Sequence, residues 1–168
     1  VTYKNEQDGQ YSINWGSGGN FVGGKGWNPG TWDRTIEYKA DYQPSGNNYL
    51  CVYGWTTNPL IEYYVLESFG SYNPGAGNSA ATSYGSFGTY DIYSNQRVNQ
   101  PSIEGTATFT QYWAIRRDKR TSGSVDMSAI FSKWNSTIRN IGAHNYQIFA
   151  TEGYQSNGRA TVTVLSPA

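Results

Sequence analysis

The chain has 168 residues, with twelve Lys plus Arg balanced by twelve Asp plus Glu, one His and one Cys. Zero net charge argues against a nucleic-acid or anionic-membrane partner. A single thiol allows no internal disulfide, and one His with one Cys makes no metal-ligand cluster. The length suits one domain, 1–168, able to bury roughly 70% of its unfolded surface. No apolar run approaches a membrane span and no signal peptide is present, although a mature secreted chain would read the same way. Aromatics make up 16%, with fifteen Tyr and six Trp against six Phe. Rings with a flat apolar face and a polar tip suit half-exposed positions and the apolar faces of sugars.

In chain order, short β-branched and aromatic runs alternate with Gly, Asn and Pro clusters, the pattern of an all-β sandwich or barrel. Strands are predicted at 10–15, 20–24, 35–43, 49–55, 61–68, 88–94, 102–105, 106–117, 145–154 and 159–165. Residues 73–86 (NPGAGNSAATSYGS) read as a loop. One segment keeps helical spacing: Met127, Ile130, Phe131, Trp134 and Ile138 within 125–138, with Ser124 or Asp126 as the cap. The charged run Arg116–Arg120 reads as a solvated strand end, Cys51 as a packed thiol and His144 as a surface or loop residue. Asn135-Ser136-Thr137 forms a glycosylation sequon on the predicted helix.

Alternation separates two faces. Tyr49, Cys51, Tyr53 and Trp55 share one side of their strand, and Leu50 and Val52 the other. In the run PLIEYYVL (residues 59–66), Glu62 and Tyr64 face opposite to Ile61, Tyr63 and Val65. Tyr146, Glu152 and Tyr154 share a face, as do Gln111 and Trp113. If these mixed faces line one concave sheet, the result is an aromatic groove holding two carboxylates. A buried, unpaired carboxylate costs several kcal/mol or takes up a proton, so Glu62 and Glu152 each need a reason. Paired carboxylates suit glycoside hydrolysis, one ionised to attack the sugar and the other protonated to release the leaving group. The charge on the first raises the pKa of the second. Spacing alone leaves open that each is merely a polar residue on an open sheet face.

The words GNFVGGKGW (19–27), YGWTTNPLIEYYV (53–65), YDIY (90–93), RVNQPSIEGTATFTQYW (97–113) and ATEGYQSNG (150–158) resemble, in order and spacing, the family 11 glycoside hydrolases, low-mass endo-β-1,4-xylanases. The resemblance covers essentially the whole chain. It implies a β-jelly roll of two bent antiparallel sheets forming a cleft, with one α-helix on the back. It makes Glu62 the nucleophile and Glu152 the acid/base of a retaining reaction, with carboxyls about 5–5.5 Å apart. Tyr53 and Gln111 match positions that hold the nucleophile, Tyr64 one beside the reacting sugar, and Arg97 a cleft cation. Tyr49, Trp55, Tyr146 and Tyr154 match cleft-lining aromatics. Pro101 matches the tip of a thumb loop spanning 98–106. Asn20 matches a position beside the acid/base that goes with a mild optimum, about pH 5–7. The partner implied is xylan or its oligosaccharides, with no cofactor or metal, and the protein is expected to be a secreted, extracellular monomer.

The resemblance begins at the strand Val1–Asn5, so a leading strand of the family pattern is expected to be missing. That would cost one sugar-stacking contact, about 1–2 kcal/mol, and leave an unpaired sheet edge. Two alternatives follow: a xylan-binding module that does not cut, or an impaired truncated form. Tyr53 and Gln111 beside Glu62 argue against a mere binder. Cellulase-type jelly rolls share the two Glu residues, but the words above resemble the xylanases.

Overall fold

The computed structural model describes residues 1–16, 19–75, 81–85, 88–137 and 141–165. These residues form β1 (Thr2–Asn5), β2 (Gln10–Trp15), β3 (Asn20–Trp27), β4 (Thr35–Ser45), β5 (Asn48–Thr57), β6 (Ile61–Phe69), β7 (Ala81–Gly85), β8 (Gly88–Ser102), β9 (Gly105–Arg116), β10 (Ser122–Asp126), α1 (Met127–Thr137), β11 (Ala143–Tyr154) and β12 (Asn157–Val164). They build a five-stranded sheet, β1-β2-β12-β4-β10, and a seven-stranded sheet, β3-β11-β5-β6-β9-β8-β7. The two sheets stay open, and the architecture is the expected jelly roll with one helix. Pairing is antiparallel except between β6 and β9. There the chain leaves β6, passes to the outer strands β7 and β8, and returns through the β8–β9 hairpin, so β9 enters beside β6 in the same direction.

Alternation fixes which side of the seven-stranded sheet each residue takes. Leu50, Val52, Ile61, Tyr63, Val65 and Phe149 join Tyr11, Ile13, Ile36, Tyr38 and Val162 of the other sheet in one buried core. Met127, Ile130, Phe131 and Trp134 of α1 complete it, so the helix packs on the core side. Asp126, not Ser124, caps it: Oδ1 accepts the Ala129 N–H at 3.2 Å. A second apolar cluster lies on the opposite face, with Tyr49, Cys51, Tyr53, Trp55, Tyr64 and Trp113. Strands β5 and β6 are therefore buried on both faces nearly end to end. Cys51 is fully buried, as a packed thiol should be.

Several elements depart from the sequence reading. Residues 102–105 are not a separate strand; β8 runs on to Ser102, and Gly105, at φ +83, opens β9 after a two-residue turn. The predicted loop 73–86 contains β7 at Ala81–Gly85, while 76–80 and 86 lie outside the described residues. The helix begins at Met127 because Val125 and Asp126 pair with β4 as part of β10, and its predicted end at Ile138 lies outside the described residues. His144 is not on a loop or the open surface; it lies half-buried in β11 with its ring edge-on to Phe131. The sequon residues Asn135 and Ser136 are exposed on α1.

The charged run after β9 is not wholly solvated. Arg120 turns inward and its Nε meets Glu67 Oε1 at 2.7 Å. Glu67 is fully buried. It also accepts from the Tyr38 hydroxyl at 2.8 Å and from the Tyr90 hydroxyl. The Arg120 N–H in turn donates to the Glu67 carbonyl at 2.9 Å. This cluster ties β6 to β4, to β8 and to the segment entering β10. A buried ion pair broken from one side leaves an uncompensated charge. Glu67→Gln should therefore cost about 3 kcal/mol, the low end for such a break because Arg120 keeps some solvent access. The corresponding fall in Tm is roughly 6–12 °C. A thermal melt within a degree or two of the parent would show that the cluster carries no net stability.

Candidate active site

On the face opposite the helix, the seven-stranded sheet floors an open cleft of about 1100 Å³. It is larger than most small-molecule pockets and is crossed by strands β3, β11, β5, β6, β9 and β8. All the residues singled out from the sequence line it. Tyr49, Tyr53 and Trp55 come from β5, Glu62 and Tyr64 from β6, Gln111 from β9, and Tyr146, Glu152 and Tyr154 from β11. Arg97 and Pro101 stand on the long β8, and Asn20 at the start of β3, in register with Tyr154. The parity of each strand explains the convergence, since every one of these residues projects from the side away from the core.

Glu62 is only 7% exposed, yet both its oxygens are occupied. The Tyr53 hydroxyl donates to Oε2 at 2.5 Å, and Gln111 Nε2 donates to Oε1 at 2.6 Å. Trp55 faces Glu62 across β5 and β6 in register, and its Nε1–H donates to the Tyr53 hydroxyl at 3.0 Å. Because an indole can only donate, that phenol must accept from it and turn its own proton to the carboxylate. Burial pushes the Glu62 pKa above the usual carboxylate value, while Gln111, Tyr53 and the positive charge of Arg97 pull it back.

Glu152 lies farther along the sheet, opposite Tyr49 on β5. Its Oε1 accepts from the Tyr64 hydroxyl at 2.9 Å. It keeps partial access to the cleft. Its pKa is pushed up to about 8, chiefly by burial and further by the charge of Glu62, against the lowering effect of the Tyr64 bond. The surroundings therefore push the two acids apart: two donors and the charge of Arg97 favour the ionised form of Glu62, while burial and the Glu62 charge favour the protonated form of Glu152. This is the split that acid-and-nucleophile chemistry requires. Among the hydrogen bonds of the described residues, the one to Glu152 comes from Tyr64; Asn20 sits on the same wall.

The sequence reading missed Tyr93 and Asn95, and it placed Trp113 on the Gln111 face without giving it a role. Asn95 and Tyr93 line the cleft from β8, and Asn95 bonds directly to Gln111. The ring of Trp113 lies flat against both Tyr64, at 4.2 Å, and Tyr93, at 5.8 Å. Extending the parity of Arg97 back along its strand would have found Tyr93 and Asn95. The predicted strand 88–94 contained Tyr93 but stopped one residue short of Asn95.

The sequence profile of Glycosyl hydrolases family 11 matches residues 1–163. The chain is 56% identical over 163 residues to Endo-1,4-beta-xylanase A of Gibberella zeae, covering 96% of this chain and 70% of that protein. It is 55% identical over 165 residues to Ethylene-inducing xylanase 3 of Verticillium longisporum, covering 98% of this chain but 57% of that one. The chain thus spans little more than half the length of some relatives it matches. Among solved structures, it resembles a chain from a structural comparison of two major endo-1,4-beta-xylanases from Trichoderma reesei. The TM-score there is 0.91 at 40% identity, covering 98% of this chain and 91% of that one. The protein belongs to glycosyl hydrolase family 11.

The coupling of the two acids can be read without turnover. In Glu62→Gln the carboxyl of Glu152 should titrate below about 8, because one charge that raised it is gone, yet stay above an ordinary carboxyl because burial is the larger cause. Carbon-13 NMR of labelled glutamate carboxyls measures this. An unmoved Glu152 titration would mean that the two acids do not sense one another.

Proposed function

We propose that this chain cleaves internal β-1,4-xylosidic bonds of xylan with retention of anomeric configuration. The observation that carries the reading is the pair of carboxyls in one aromatic cleft, Glu62 clamped by two donors and Glu152 raised toward about 8. Family membership supplies the substrate class, since neither the floor of Tyr and Trp nor the acid pair distinguishes one β-1,4-linked polymer from another.

In the first step Glu62 attacks the anomeric carbon while Glu152 gives its proton to the departing glycosidic oxygen. The bond to the leaving sugar breaks and a xylosyl ester forms on Glu62. Glu152, now an anion, can act as base, and esterification has removed the Glu62 charge, which after burial was the lesser cause raising its pKa. In the second step it takes a proton from water, the water oxygen bonds to the anomeric carbon, and Glu62 leaves as a carboxylate. Tyr53 and Gln111 hold the nucleophile's oxygens, Tyr64 orients the acid, and Arg97 supplies positive potential. Tyr49, Trp55, Tyr146 and Tyr154 offer stacking or hydrogen-bonding surface along the cleft, Pro101 approaches it from the β8–β9 hairpin, and Asn20 borders the Glu152 end.

One chain provides both acids, which makes residues 1–168 one catalytic domain that works as a monomer, with no cofactor in either step. A polymer of this size has to be met outside the cell, so the reading is of a secreted, extracellular enzyme.

The test is hydrolysis of xylan by the parent and by Glu62→Gln. Reducing-end release should fall by at least about 10⁴-fold in a variant that still melts cooperatively. Proton NMR of the first products should show the β anomer before mutarotation, and an initial α anomer would overturn the retaining step. The rate against pH should form a bell. It should rise as Glu62 ionises, above the normal carboxylate range, and fall as Glu152 loses its proton on the approach to about pH 8.

A further inference from the structure

We propose that Asn95 is a positioning residue that acts through Gln111: it fixes the Gln111 side-chain amide with its N–H, and not its carbonyl, against Glu62. The inference rests on Glu62 being the nucleophile of the reaction proposed above.

The argument begins at Trp113. Its ring is held flat between Tyr64 and Tyr93, with interplanar angles of 4° and 3°. From the core side, Trp134 of the helix donates to its carbonyl at 3.0 Å. The indole Nε1–H meets Asn95 Oδ1 at 2.7 Å. An indole nitrogen has no lone pair to offer, so the Asn95 amide must turn its oxygen to it and its NH₂ the other way. That NH₂ meets Gln111 Oε1 at 2.9 Å. With its oxygen taken, Gln111 has only its own NH₂ left for Glu62, and donates at 2.6 Å.

Register makes the chain of contacts possible. Trp55, Glu62, Gln111 and Asn95 face one another in a single row across β5, β6, β9 and β8. Without Asn95, the two orientations of the Gln111 amide fit the same space, and the reversed one would set a carbonyl oxygen against a carboxylate. Asn95 is exposed on the cleft wall.

The other titratable and charged groups around Glu62 are Tyr53 and Cys51 from β5, Tyr64 from its own strand, Arg97 from β8, and Glu152 and Tyr146 from β11. Asn95→Leu alters none of them. If Asn95 only joined β8 to β9, its loss would lower Tm and leave the titration of Glu62 in place.

The experiment is the carbon-13 titration of Glu62 in the parent, Asn95→Leu, Gln111→Ala and the double variant, with kcat and KM on a xylo-oligosaccharide. Asn95→Leu should raise the Glu62 midpoint and lower kcat by about tenfold to a hundredfold, the usual effect of losing a partner one step removed, with KM little changed. In the Gln111→Ala background the same substitution should add no further shift. A Glu62 midpoint unmoved by Asn95→Leu, or moved equally with and without Gln111, would overturn the proposal. Because the titration needs no turnover, an inactive parent would count against the hydrolase reading alone. Asn95→Asp is the second variant should Asn95→Leu fold poorly: it still accepts from Trp113 but cannot donate to Gln111, and the same comparison with Gln111→Ala separates the relay from the added charge.

Discussion

An ionised carboxylate in a sheet buried on both faces is the constraint around which the rest of this molecule is arranged. Removing such a charge from water costs several kcal/mol unless donors replace the solvent. Strand β6 carries two of them, Glu62 and Glu67, five residues apart and on opposite faces. Their solutions differ. Glu67 faces the core and receives a guanidinium with two phenols, Arg120, Tyr38 and Tyr90. Glu62 faces the cleft and receives two neutral donors, with Arg97 acting only through its charge. A full counter-charge in contact satisfies a carboxylate and also disarms it. Neutral donors steady the anion and leave its electron density available to an incoming carbon. In the proposed reaction the same strand therefore holds a structural acid on one side and the nucleophile on the other.

The neutral clamp also sets the state of Glu152. A carboxyl already raised by burial is raised further by an anion that no contact cation neutralises. Had Glu62 been paired as Glu67 is, its field would be largely cancelled and Glu152 would lose part of the reason it holds a proton near neutral pH. The clamp thus serves both acids, one by contact and one through the field it leaves standing.

Much of this was legible in the sequence because a strand has period 2. The parity of 49–55, 61–68 and 145–154 separated the core face from the cleft face correctly, and it isolated Glu62 and Glu152 as acids among aromatics. Parity also held a signal that went unread: Glu67 falls with Ile61, Tyr63 and Val65, so it had to be buried and had to find a partner. That partner, Arg120, was hidden in a run of charges that looked solvated, because only the tertiary fold brings it under β6. The continuation of β8 through Ser94-Asn95-Gln96-Arg97 carries no apolar alternation. Its extended form is imposed by pairing with β9, so propensity could not reveal it. β7, in a Gly- and Ser-rich stretch, is a strand for the same reason. The misses therefore gather on the polar outer strands, where Asn95 stands.

The helix contributes to this site without touching the cleft. Trp134 packs against Tyr63 and Tyr112 on the core side and closes its indole N–H on the carbonyl of Trp113. Residue 113 thus has its backbone held from the back of the sheet while its ring is stacked on the front. Indoles suit such a post because a donor-only group admits one polarity: whatever it bonds must present an oxygen. Trp113 and Trp55 each begin a line of donors ending on a different oxygen of Glu62. Serine or tyrosine in either place could donate or accept, and the direction of the line would then be undetermined. Trp113 and Trp55 accordingly do more than offer apolar area, since they fix the direction in which hydrogen bonds point at a buried charge.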